Sequence, residues 1–441
     1  MATTVSERAV AGGLIRGISR GHLLALQING IIGAGILGLP STAFALSGTY
    51  SLVAWVVSAS LAAGIALCVA EISSRYEQSG GPYLFTLDAF GPSVGFVIGW
   101  LMWVSRAVAF AAVCGLLVEY AGFFVEPATQ GSGRVALVCL VVGGITALLL
   151  AGIRQTAWVS TALAVAKVAL LAAFALAAIL FAGTSLDVGP APSLANFTTT
   201  MSVVLFAFFG LENGPIASGE TASPQRNLPF TILASIAIVT ALYLMVQYAC
   251  IVTLPGLSQS RRPIADAATL TFGLSGGQFV SAGAIVIMLG TLLTQMVGTT
   301  RVLMAMGQRG QLPSAIAGLH PVRRVPVLAT VISAAMALAA TLLSTFTSAI
   351  AITVATRVFV YAAVCLALPV LRARRQAPSP FRLSAGTLIA SLSAALSLSL
   401  IGTASIRDIV ATAAVGAGGW IVWCGVRERW QGGITDQPAA E

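Results

Sequence analysis

The chain has 441 residues, of which 57% are hydrophobic and only 8% charged, with a mean hydropathy of +0.94. A water-soluble domain carries roughly 25% charged residues to face its solvent, so this composition excludes a soluble globular protein and makes lipid the solvent for most of the surface. The net charge of +9 does not point to nucleic acid, because the basic residues are not gathered on any segment able to fold as a reader domain.

Taken from the start, residues 1–21 are mixed and polar and predict a cytoplasmic N-terminal segment. The first apolar run is too long and too Gly-broken for the core of a cleavable signal peptide. Apolar runs of about 20 residues predict twelve membrane spans, at 22–48, 51–71, 93–124, 134–152, 157–182, 198–220, 228–254, 277–306, 325–346, 349–371, 383–404 and 408–426. Residues 427–441 form a polar cytoplasmic tail. Pro and Gly mark several joints, among them Gly91-Pro92, Pro255-Gly256 and Gly276-Gly277. Glu71 to Phe90 is too polar to span and reads as an amphipathic helix lying against the bundle. Ser258 to Leu274 reads similarly on the opposite side, as a lid or a plain connection.

Span 1 contains the run Asn29 to Pro40, NGIIGAGILGLP, with four glycines and a proline in twelve residues. Gly costs a helix about 1 kcal/mol relative to Ala, and Pro about 3 kcal/mol. In hydrocarbon, backbone groups freed by such a break are tolerated where they line a cavity or are held by neighbours. Close packing through small residues is the alternative explanation. A second break favours the cavity. Phe206 to Pro215, FAFFGLENGP, places two glycines, a proline and a carboxylate inside span 6, five spans after the first. Interrupted helices at corresponding positions of two five-span halves point to an inverted-repeat transporter. Half-helices offer free N–H groups at a positive dipole end for a carboxylate, and free carbonyls for an ammonium. Together they suit a zwitterion.

Five ionisable residues lie inside spans: Arg106, Lys167, Glu212, Arg301 and Arg357. Each is costly at depth and therefore a functional candidate. Lys167 is the single lysine beside 22 arginines. A dehydrated lysine can give up its proton, whereas arginine effectively cannot, so Lys167 is a candidate for proton coupling, with a fixed ion pair to a carboxylate as the alternative. Glu212 is expected to organise the second break, meet substrate or take up a proton. Arg106 is a possible internal ion-pair partner for Glu212 or Glu119. Arg301 and Arg357 read as anchors that snorkel toward the cytoplasmic side.

The six cysteines, Cys68, Cys114, Cys139, Cys250, Cys365 and Cys424, sit in apolar runs without metal-ligand spacing and are expected to be small buried hydrophobes. Neither a phosphate-binding loop nor a zinc or serine-hydrolase motif is present, so no enzyme activity, cofactor or metal is expected. With the N-terminus inside, fifteen arginines between Arg8 and Arg429 fall on the cytoplasmic side, against Arg134, Arg261, Arg262 and Arg407 opposite. That asymmetry places both termini in the cytoplasm, in a multi-pass protein of the cytoplasmic (inner) membrane.

With both breaks in place, the chain resembles amino acid permeases of the amino acid–polyamine–organocation superfamily over nearly its whole length. Gly33-Ala34-Gly35-Ile36 matches the family's helix 1 segment. Ser79-Gly-Gly-Pro-Tyr83 and Ala89-Phe-Gly91 resemble its first cytoplasmic loop. Phe206 to Glu212, then Gly219-Glu220 and Pro224-Gln-Arg226-Asn227-Leu-Pro229, resemble helix 6 and its following loop. One departure is Met306-Gly-Gln308-Arg309, where relatives often carry an acidic residue before the glycine of Gly310-Gln-Leu-Pro313.

The resemblance implies an all-α membrane protein with a LeuT-type 5+5 inverted repeat and about twelve helices, helices 1 and 6 being discontinuous. The first repeat would occupy 22–182, the second 198–371, and helices 11 and 12 would occupy 383–426. Amides of Gly33, Ala34 and Gly35 would hold the substrate carboxylate, and carbonyls of Ile31, Phe206 and Phe209 its ammonium. Phe206 would act as an aromatic gate. Ile32, Ile36, Ala207, Phe208, Gly210 and Glu212 complete the implied substrate-binding set. Lys167 looks like the helix 5 lysine of proton-coupled members. The expected function is alternating-access uptake of neutral amino acids coupled to protons, because the helix 6 region is apolar. Exchange, including of cationic amino acids or polyamines, is the alternative. The expected partners are substrate, protons and the bilayer, with no nucleic acid, and no oligomeric state follows from the sequence.

Overall fold

The computed structural model describes residues 18–76, 80–151, 156–182, 186, 188–216, 218, 221–321, 323–374 and 380–434, which are helical almost throughout. Most of the expected N-terminal segment (1–17), Ser79, Arg154, Gly219, Glu220, Arg375 and the end of the expected tail (435–441) lie outside the described residues.

In chain order the helices are α1 (Arg20–Ile31), α2 (Ala34–Ser47), α3 (Ser51–Ser73), α4 (Pro82–Phe90), α5 (Pro92–Ala121), α6 (Gly131–Leu150), α7 (Thr156–Ala182) and α8 (Leu194–Leu205). They continue with α9 (Asn213–Ile216), α10 (Pro224–Thr253), α11 (Pro263–Gln308), α12 (Ser314–Ala317), α13 (Val327–Leu343), α14 (Phe346–Ala373), α15 (Gly386–Ser399) and α16 (Ile406–Ile434). Most are apolar on every face, as expected where neighbours or lipid surround them. Their ends are set by local chemistry. The Ser19 hydroxyl accepts the His22 N–H at 3.4 Å to open α1, and Thr345 and Ser348 form a reciprocal capping box at the start of α14.

Ten segments among the described residues are long and apolar enough to cross a membrane. The difference from the twelve expected has two sources. Arg20–Ser73 is one continuous apolar segment that holds the first two expected spans, and α13 is an apolar helix of 17 residues, shorter than these ten. At the C-terminal end, α16 continues to Ile434, past the expected boundary at 426. Before α11 a short turn, Leu257–Gln259, leads into Pro263, and Gly273 leaves helical geometry (φ 75°, ψ −177°), so the segment expected to lie outside the bundle is a separate helical piece.

The bundle is arranged around α5. It buries 94% of its apolar window, against 28% for α6 and 17% for α16, so α5 is the axis and the other two are peripheral. Around it pack α4, α11, α13, α14 and α16. Helix α4 was expected to lie against the bundle, but it is inserted into it: Pro82 to Thr86 are all buried. Its Tyr83 hydroxyl donates to Gln311 Oε1 at 2.7 Å, and burial pushes that phenol above its usual range. Four of the six cysteines are buried as expected, but Cys139 and Cys424 are exposed, on the outer faces of α6 and α16. An apolar exterior is favourable where lipid is the solvent, so apolar context did not imply burial there.

Candidate functional site

The site is built where two helical segments stop. Helix α1 ends at Ile31; Ile32 is extended (φ −72°, ψ 107°) and Gly33 is also non-helical (φ −154°, ψ −141°) before α2 begins at Ala34. Helix α8 ends at Leu205 and passes through one tight turn, Phe206–Phe208, to an extended Phe209. Gly210 follows with φ +114°, a conformation that L side chains rarely adopt. A Cβ there would also lie 2.6 Å from the Gly30 carbonyl oxygen. The interruptions touch at a second point, since a Cβ on Gly35 would lie 2.5 Å from Cα of Ala207. The Tyr243 hydroxyl, from α10, stands 3.1 Å from the carbonyl oxygens of both Ile31 and Ala207 and pins the two breaks together.

This crossing leaves polar backbone unpaired where it can be used. The first N–H groups of α2, beginning near Gly33, have no intrahelical partners and lie at the positive end of its dipole. The Phe206 carbonyl accepts the Phe209 N–H at 3.1 Å. The Phe209 carbonyl has no hydrogen bond among the described residues. A carbonyl has two lone pairs, so Ile31 and Phe206 each retain capacity for a second donor.

Two buried charge centres flank the crossing. Lys167, on α7, is fully buried, and its Nζ donates to the carbonyls of Asn29 and Ile32, both at 2.9 Å, and to Thr291 Oγ1 at 2.7 Å. All three ammonium hydrogens are thereby placed, and none goes to a carboxylate. The second centre is Glu212. Arg106 Nη1 donates to its Oε1 at 2.9 Å, and Arg357 Nη1 donates to the same oxygen. The Tyr361 hydroxyl (2.9 Å) and the Gly210 N–H (3.2 Å) donate to Oε2. Arg106 Nη2 reaches Asn213 Oδ1 at 2.9 Å, and Arg357 Nε reaches Ser105 Oγ at 3.2 Å. Of the two partners open to Arg106, the structure selects Glu212; Glu119 instead lies 3.8 Å from Arg261.

Between these centres lies a small cavity lined by Gly30, Ile31, Gly33, Ala34, Gly35, Arg106, Ala109, Val113, Phe206, Phe209, Gly210, Glu212, Asn213, Thr291, Gln295 and Arg357. Eight of the expected substrate-binding residues therefore meet at one place. Four do not. The Ile32 and Ile36 side chains are fully buried among their neighbours, and the Ile32 carbonyl is taken by Lys167 and Thr291. Ala207 backs onto Gly35, and Phe208 turns away to pack edge-on against Trp55. Lys167 is behind the first break, outside the lining.

The largest correction concerns Arg357. It was expected to snorkel as an anchor, yet it is 3% exposed, bonded to Glu212, and has its guanidinium 5.2 Å from the centre of the Phe209 ring. Position along a span says nothing about which face a side chain occupies; Tyr361, one turn later and also on Glu212, was the available signal. Tyr243, Asn213, Thr291 and Gln295 were likewise not singled out. Only Asn213, adjacent to Glu212 in the second break, carried a recognisable cue.

The amino acid permease family model matches residues 18–424. An uncharacterized transporter of Mycobacterium tuberculosis is 29% identical over 325 residues, 72% of each chain. The serine/threonine exchanger of Bacillus subtilis is 28% identical over 346 residues, covering 75% of this chain and 78% of its own. A branched-chain amino acid permease of the same organism is 27% identical over 361 residues, 75% and 74% of the two chains.

Proposed function

The chain belongs to the amino acid permease family, and on that premise we propose that it carries amino acids across the cytoplasmic membrane by alternating access. It is a transporter rather than an enzyme. The observation that carries the proposal is the crossing of the two interruptions: α2's free N–H groups and the Phe209 carbonyl belong to residues that line one cavity. The α-carboxylate goes to the amides at Gly33 to Gly35, and the ammonium to the carbonyls of Ile31, Phe206 and Phe209. Helices α1 to α7 and α8 to α14 form the two halves of an inverted repeat, which rock against each other around this fixed site.

Protons drive uptake, with Lys167 as the coupling residue. Its ammonium bridges the carbonyls of the first break to Thr291 on α11, so loss of its proton would weaken one of the ties between the two halves. Glu212, with both oxygens engaged, keeps the second break in shape. Exchange of one amino acid for another is the second reading, favoured by the relative named as a serine/threonine exchanger.

The deciding measurement is uptake of a panel of radiolabelled amino acids into proteoliposomes, with and without an inward proton gradient. Uptake that the gradient accelerates is expected. Movement only against internal amino acid selects exchange, and failure to move any amino acid removes the proposal.

A further inference from the structure

The ionised groups lining the cavity do not balance. Among the described residues they are two guanidiniums, Arg106 and Arg357, against one carboxylate, Glu212. One carboxylate cannot neutralise two buried cations, and a buried unpaired charge is among the most expensive features a protein can keep. Lys167, just behind the first break, adds a further cation whenever it is protonated.

Donors on the same wall are also unspent. Arg106 Nε and Asn213 Nδ2 are buried without a hydrogen-bond partner. Arg357 uses Nε and Nη1 only, so its Nη2 has no hydrogen bond among the described residues. These donors and one surplus positive charge belong to residues that line the cavity, beside Gln295, whose Oε1 is a buried acceptor also without a partner, and the same lining offers the α2 amides for an α-carboxylate. A zwitterion with a neutral side chain would occupy those amides and leave the surplus in place. A cationic substrate would add to it, and the one carboxylate present is saturated. A substrate with a second carboxylate supplies both the missing charge and the missing acceptors, through charge-assisted hydrogen bonds.

We infer that the site selects amino acids with an acidic side chain, whose carboxylate is received by Arg357 and Arg106 beside Asn213. This rests on the amino acid transport proposed above and names its substrate class. It replaces the expectation of neutral substrates, which followed from the aromatic residues of the second break; Phe206 and Phe209, at 5.8 Å centroid separation, instead pack the stem of the side chain.

The test compares near-isosteric pairs in proteoliposomes holding the purified full-length chain: L-glutamate against L-glutamine, and L-aspartate against L-asparagine, with L-lysine as the cationic control. The acids should compete for uptake about tenfold or more better than their amides, because a site built for a charged acceptor leaves its donors unpaired with the amide. Lysine should compete least. Arg357→Gln should bring the acid-to-amide ratio close to one, chiefly by weakening the acid. Should that variant fail to fold, thermal stabilisation of the wild-type protein by glutamate and not by glutamine carries the same information. Transport of neutral amino acids with no preference for the acids overturns this inference and leaves amino acid transport standing. An acid preference that survives Arg357→Gln intact overturns the assignment to Arg357. Neither transport nor binding of any amino acid overturns both.

Discussion

Lys167 and Glu212 show how differently two buried ions can be held. Glu212 sits inside a closed network: each oxygen has at least two donors, and the two arginines arrive from α5 and α14. Breaking such a pair from one side leaves an uncompensated charge and costs about 3–5 kcal/mol, which suits a residue that must keep a non-helical segment in one shape. Lys167 is held by neutral oxygens alone. No carboxylate fixes it as a cation, which is what the proposed coupling role requires. Lys167→Ala removes the proposed proton carrier and three buried hydrogen bonds, at about 1–3 kcal/mol. The variant should therefore remain folded with a lower melting temperature, still exchange amino acid across the liposome membrane, and lose acceleration by a proton gradient. Gradient-driven uptake at the wild-type rate in Lys167→Ala would remove the coupling role while leaving the substrate site untouched.

At the scale of elements, the two interruptions act as one unit because small residues let them meet. With Gly35 in van der Waals contact with the Ala207 backbone, α2 and the Phe206–Phe208 turn cannot separate without opening the cavity wall. A side chain at 35 meets backbone rather than a movable side chain, so it must displace one of the two breaks. Gly35→Val should cost about 1–3 kcal/mol in overpacking, and substrate should no longer raise its melting temperature, because the α2 amides move away from the ligand. Retention of the wild-type ligand-induced shift would mean that the crossing does not set the binding geometry. The far end of α14 is tied just as firmly. Arg372 donates to both oxygens of the buried Glu71 on α3 at 2.7 and 2.6 Å, and the Leu383 N–H adds a third bond at 2.9 Å. Arg374 donates to the Ala89 carbonyl at the end of α4 at 3.0 Å. One helix thus carries Arg357 at the site and, four turns on, fastens α3 and α4 at one face of the bundle.

Across the whole molecule, what could be seen in the sequence follows from what one chain can encode locally. Gly and Pro weaken a helix wherever they fall, so the breaks near Gly33 and Gly210 were visible, and so was the cost of burying Lys167 and Glu212. Rotational placement is not local. Whether Arg357 faces lipid or the interior, whether Phe208 turns toward the cavity or toward Trp55, and which acid meets Arg106 depend on neighbours more than a hundred residues away. The same limit explains α4, whose polarity suggested a surface helix although its neighbours enclose it. Orientation in the membrane, by contrast, is a global property that arginine counts do address. The imbalance between the two sets of loops predicts that the turn at Leu257–Gln259 lies outside and α12 inside. Ser258 and Ser314, in the turn and in α12, are both exposed. In a background with the six native cysteines replaced, Ser258→Cys should react with a membrane-impermeant maleimide in intact cells. Ser314→Cys should react only after the membrane is permeabilised. The reverse pattern would invert the topology and would also turn the α4 end of the bundle, with its Glu71–Arg372 tie, toward the outside; labelling of both positions in intact cells would mean that α11 does not cross.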